Sequence, residues 1–156
     1  MPTKNEYDQE VILKNIYELS EEIGIKLRKL RMKARTIGLF LTGEQSMGGR
    51  KTYPRYLDTG QDIFEACANL YREWNWKYMV RQMSVWAGNL VEGQYTTIPL
   101  FENPRKDAVT RLIDDINSRF GHNTIRNGYL TYAPKLHTKP NGYGADRAMR
   151  EELRYI

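Results

Sequence analysis

The sequence predicts an α+β sandwich of two layers, a four-stranded mixed sheet with helices packed on one face and the other face open. Apolar residues recur at steps of three and four in three stretches, and they alternate at period two in three others. Their order, α-β-β-α-β-α-β with a weaker last strand, carries the prediction. At 156 residues one core is expected, because a chain of that size buries roughly two-thirds of its unfolded surface.

Ile12, Ile16, Leu19, Ile23, Leu27 and Leu30 lie on one stripe of a helix over 8–31. Acidic residues fill its first half, while Lys26, Arg28, Lys29 and Arg31 close it, an order that complements the helix dipole. From Arg35 the period becomes two. Ile37, Leu39 and Leu41 alternate with Thr36, Gly38, Phe40 and Thr42, which gives a strand over 35–43 with one buried face. GEQSMGG reads as a loop of turn glycines, followed by a strand over 50–57 that ends near Pro54 and lies at an edge. Asp58 or Thr59 caps a helix over 59–75, with Asp62 as capping partner and Ile63, Cys67, Leu70 and Trp74 as its stripe.

Met83, Val85 and Ala87 oppose Gln82, Ser84 and Trp86 in a third strand over 79–90. VEGQYTTIPLF contains Pro99, shows no period and reads as an extended connector. Asn103 and Pro104 then start a helix over 103–120, which turns Val109, Leu112, Ile113, Ile116 and Phe120 inward and stops at Gly121. Residues 124–132 are expected to form the fourth strand and to close a domain over 1–132. The remaining 133–156, rich in Lys, Pro, Gly and Asn, is expected to be a loosely packed tail.

Composition narrows the function. Lys and Arg outnumber Asp and Glu by 24 to 19, which suits an anionic partner. A membrane is not expected to be that partner, since no apolar run approaches the ~20 residues of a bilayer span. The polar, acidic start is unlike a secretory signal, and the single Cys67 forms no internal disulfide; both point to the cytoplasm. No groups converge for acid-base, nucleophilic or metal chemistry. Asp114 and Asp115 lie about 100° apart around a helix and read as a solvated face. His122 and His137 lack zinc-ligand partners, and the glycines fit no phosphate-binding motif.

Basic density remains. Six of the ten residues from Lys26 to Arg35 are Lys or Arg, and Arg50, Lys51 and Arg55 lie one hairpin away. On the predicted open face these cations join Thr36, Thr42, Gln82, Ser84 and Tyr53, a composition suited to phosphate contact and salt-sensitive binding. Tyr53, Tyr56 and Trp86 either stack on bases or pack on their neighbours.

Taken in order, RKLRMKARTIGLFLTG, the Arg50-Lys51 hairpin, DIFEACANLYREW, VRQMSVWAGNLVE and IDDINSRFGHNTIRNGYL resemble the little-finger region of Y-family translesion DNA polymerases. The bacterial DinB, UmuC and UV-repair type is most alike, and the likeness runs from about Tyr7 to Tyr132. It implies a domain lying along the major-groove side of primer-template duplex, with backbone contacts from Arg35, Thr36, Thr42, Ser46, Arg50, Lys51, Gln82 and Ser84. Arg55 joins them as a further cation of the hairpin. Trp86 departs from the family pattern, where a small polar residue is common. The resemblance also implies no cofactor in this chain: magnesium would belong to a separate palm domain of the parent polymerase. Thr97, Ile98, Leu100 and Phe101 resemble the QLxLF peptide that inserts Leu and Phe into a sliding clamp, with Thr97 in the place of Gln; a plain linker is the other reading. From a different class, a non-catalytic RNA-binding or protein-interaction module remains the alternative, since open sheets also bind single strands and partner edges.

Overall fold

The computed structural model describes residues 8–93 and 104–130. The first element, α1 (Gln9–Lys29), begins where the Asp8 carboxylate accepts from the Glu10 backbone N–H at 2.8 Å. It buries Ile12, Ile16 and Leu27, with Leu19 and Ile23 packed at the margin, while Leu30, outside the last turn, stays exposed. Arg31, in the left-handed region at φ 54°, turns the chain into β1 (Met32–Gly43).

Hydrogen bonding on both sides makes β1 the central strand, between antiparallel β2 (Ser46–Leu57) and antiparallel β3 (Val80–Gly88). Its Ile37, Leu39 and Leu41 are fully buried beneath α1 and α2 (Gly60–Glu73), so the period-two pattern chose the correct buried face. The two helices cross at glycines. A Cβ on Gly24 would lie 2.6 Å from the Gly60 backbone nitrogen, and one on Gly60 would lie 2.7 Å from the Glu21 Cα. Thr59 caps α2 as expected, its hydroxyl accepting from the Asp62 N–H at 3.2 Å.

The architecture is the expected α+β arrangement with α1 and α2 on one sheet face, but several elements differ from expectation. All pairings among the described residues are antiparallel rather than mixed. The fourth strand is β4 (Val91–Glu92), a two-residue piece paired with Met32 and Lys33 at the start of β1. The chain reaches it through Asn89, whose side chain tolerates the left-handed φ of 50°.

No strand forms over the described part of 124–132. There the Asn117 amide replaces a neighbouring strand: its Oδ1 accepts from the Ile125 N–H at 2.7 Å and its Nδ2 donates to the Ile125 carbonyl at 2.9 Å. The chain then makes a 3-10 turn over Gly128–Leu130 that buries Leu130. The β1–β2 hairpin is also tighter than predicted. Its turn is Glu44–Gln45 alone, so Ser46 to Gly49 are strand residues, not loop. Gly43 is small for another reason than a turn: a Cβ there would lie 2.0 Å from the Met79 carbonyl oxygen.

The third helix, α3 (Pro104–Phe120), buries none of its residues. Val109, Leu112 and Phe120, expected to point inward, are exposed. Ion pairs hold α3 instead. Arg28 of α1 clasps Asp114, its Nη2 donating to Oδ1 at 2.9 Å, and also donates to the Asp58 carbonyl at 2.8 Å. Lys106 reaches Asp62 of α2 at 3.5 Å. Asp114 is therefore a tether, not a solvated carboxylate, while its neighbour Asp115 pairs with Arg119 on the surface.

Candidate nucleic-acid interface

Antiparallel register defines the face that α1 and α2 leave uncovered, because directly opposed residues point the same way. Four rows cross it from β2 through β1 to β3: Thr52–Thr36–Gly88, Arg50–Gly38–Trp86, Gly48–Phe40–Ser84 and Ser46–Thr42–Gln82. These twelve positions hold one cation, Arg50, and no acid. Acidic side chains collect on the helical side, where Glu21, Glu22 and Asp58 have carboxyls held above their ordinary range by burial.

The face thus brings together Thr36, Thr42, Ser46, Arg50, Gln82 and Ser84 of the expected contact residues. Their availability differs. Ser84 and Arg50 are exposed. The Thr42 and Ser46 hydroxyls share a 2.7 Å hydrogen bond at the hairpin end. Thr36 is almost fully buried; its hydroxyl lies 2.9 Å from that of Thr52 and accepts from Asn89 Nδ2 at 2.7 Å. It positions its neighbours more than it presents a donor. Around this pair, Arg50, Trp86 and Gly88 complete a shallow cleft of ≈ 360 Å³ with Thr36, Thr52 and Asn89.

Three expected cations lie elsewhere. Lys51 is opposite Ile37, so its side chain leaves from the helical side, where its ammonium sits 3.7 Å from the Glu73 carboxylate. Arg55, beyond the irregularity in the β1–β2 register, turns to Asp62 at 3.4 Å. Arg35 lies along the hairpin, donating to the Tyr53 carbonyl at 3.0 Å, with its guanidinium 5.4 Å from the centre of the Tyr56 ring. Tyr53 packs against the core and Tyr56 lies under Arg35, so of the three aromatic residues offered for stacking only Trp86 is on the open face.

Sequence reading passed over Phe40, Thr52 and Asn89. Phe40 was legible, since it shares the phase of Thr36 and Thr42; Asn89 acts through a backbone turn that no pattern marks. Trp86, the departure from the family pattern, lies down on the sheet. A Cβ on Gly38 would be 2.0 Å from its Cε2, and one on Gly88 would be 3.1 Å from its Cζ3. Its bulk therefore keeps a low profile. Thr97, Ile98, Leu100 and Phe101 fall outside the described residues. Among the described residues no three His, Cys, Asp or Glu side chains converge to hold a metal, and no helix is long and apolar enough to cross a membrane.

Comparison with known proteins agrees with this build. Residues 3–100 match the impB/mucB/samB family C-terminal domain, and the chain belongs to that family, a C-terminal domain of Y-family DNA polymerases. It is also 28% identical over 123 residues to a DNA polymerase IV of Acetivibrio thermocellus. That match takes in 74% of this chain but 31% of the relative, so the chain spans less than a third of the relative's length.

Proposed function

We propose that this domain holds primer-template duplex DNA for a translesion DNA polymerase, with the uncovered sheet face against the sugar-phosphate backbone on the major-groove side. The observation that carries this reading is a four-row face with hydroxyls, an amide and Arg50, free of acids, backed by a helical layer that gathers the carboxylates. Neutral donors and one cation position a backbone without reading bases, which suits a polymerase that must accept damaged templates. Nucleotide transfer in the parent protein would depend on magnesium held by carboxylates of a separate palm domain. Its setting would be the cytoplasm.

Ser84→Glu tests the interface. It places a carboxylate at an exposed position of the face, and Gln61→Glu places one on the exposed helical side. Fluorescence anisotropy with primer-template duplex at low salt should show Ser84→Glu weakening binding several-fold more than Gln61→Glu. Equal effects would remove the sheet face from the proposal, and a preference for double-stranded RNA would favour the alternative of an RNA-binding module. We also propose that Thr97, Ile98, Leu100 and Phe101 dock a sliding clamp, with weaker hold where Thr97 lacks the amide of Gln. Leu100→Ala combined with Phe101→Ala should abolish capture on immobilised clamp; unchanged capture would leave a plain linker.

A further inference from the structure

Three of the twelve open-face positions are glycines, Gly38 and Gly48 inside their strands and Gly88 at the end of β3, where glycine normally weakens a sheet unless something must approach the backbone closely. Here aromatic rings make the approach. The indole of Trp86 spans Gly38 and Gly88, and the ring of Phe40 lies over Gly48, where a Cβ would be 2.7 Å from its Cδ2. Phe40 approaches by its Cδ2–Cε2 edge, and Trp86 and Phe40 remain 38% and 44% exposed. Phe40 faces Ser84, two residues from Trp86, so the two residues are diagonal neighbours on the face, their backbones about 7–8 Å apart. Arg50 lies in the same row as Trp86, next to the cleft that contains the Thr36 and Thr52 hydroxyls.

We propose that Trp86 and Phe40 form a two-ring platform on which unpaired bases of single-stranded DNA stack, with Arg50 and the exposed Thr52 hydroxyl receiving the strand's phosphates. Stacking uses the π-face that every base presents, so the platform is tolerant of sequence and of many base lesions. The proposal rests on the reading of this face as the nucleic-acid surface, and adds the unpaired template beyond the duplex to what that surface holds. A purely architectural role, with the rings only shielding glycine backbone, predicts no interaction with bases.

The test compares the full chain with Trp86→Leu and Phe40→Leu, which keep apolar cover over the glycines but lose the aromatic face; thermal melting confirms that both fold. The probes are oligo(dT), an abasic oligonucleotide of equal length and charge, and blunt duplex. Each Leu variant should bind oligo(dT) about tenfold more weakly and the abasic strand as tightly as the parent chain. Trp86→Tyr should restore most of the loss, and oligo(dT) should quench indole emission in the parent chain but not in Trp86→Leu. Unchanged oligo(dT) binding in both Leu variants would overturn the proposal. So would an equal loss for oligo(dT) and the abasic strand, indole emission beyond the reach of acrylamide in the free chain, or tighter binding of oligo(rU). Failure of the duplex reading is distinguishable, because blunt duplex would then go unbound by the parent chain whatever the rings do.

Discussion

Arg50 and Lys51 are neighbours with opposite assignments, and a salt titration can separate them. Strand alternation sends Arg50 to the uncovered face and Lys51 to the helical side, where Glu73 lies 3.7 Å away. A cation that neutralises one duplex phosphate releases its condensed counterion and contributes about 0.9 to the slope of log affinity against log salt. Arg50→Ala should therefore lower the slope by about 0.9, so that raising salt from about 50 to about 200 mM costs the variant about 3.5-fold less affinity than the parent. Lys51→Ala should leave the slope unchanged. Its ion pair with Glu73 is half-exposed on both sides and contributes no more than about 1 kcal/mol to folding. The assay is anisotropy of labelled primer-template duplex at four or more salt concentrations. Equal slope changes in the two variants, or a larger one in Lys51→Ala, would refute the placement of the interface on the open face.

Three further outcomes follow from packing and burial. Gly24→Ala should destabilise the fold by about 1–3 kcal/mol in urea titration, reversing the roughly 1 kcal/mol that alanine normally adds in a helix interior, because its Cβ would press on the Gly60 nitrogen from 2.6 Å. Burial pushes the Cys67 thiol from about 9.0 up to about 12. Since the folded value is raised, stability is intact below pH ~9 and falls by roughly 1.4 kcal/mol per unit as the unfolded thiol ionises between there and pH ~12; Cys67→Ala should remove that component. Asp114→Asn should accelerate amide exchange across Pro104–Phe120 with little change in melting temperature, because its bond to Arg28 holds a helix that buries no residue.

Much of the fold was legible because one residue type fixes each phase. Ile37, Leu39 and Leu41 commit β1 to one orientation, and Thr59 with Asp62 marks the start of α2. The second strand has no such marker. Arg50 and Lys51 are both polar, so their phase depends on register, and register follows from a turn of only Glu44–Gln45 that the glycine-rich sequence disguised as a long loop. The glycines answer to tertiary neighbours: Gly38 and Gly48 to rings from adjacent strands, Gly43 to a carbonyl. Residues 124–130 have strand-like composition, yet the Asn117 side chain satisfies Ile125 locally and removes the need for a strand partner. At the site, residue types revealed a polar face. They could not reveal that the Thr36 hydroxyl is already engaged by Asn89 and Thr52.

The way α3 is attached has a consequence for how this protein can change. The family match ends at residue 100, and the helix that follows from Pro104 supplies nothing to the interior. Sequence drift along Pro104–Phe120 is therefore insulated from the sandwich, apart from the few charges that moor it. That helix can diverge in surface and partner while the sheet and its two covering helices keep their geometry.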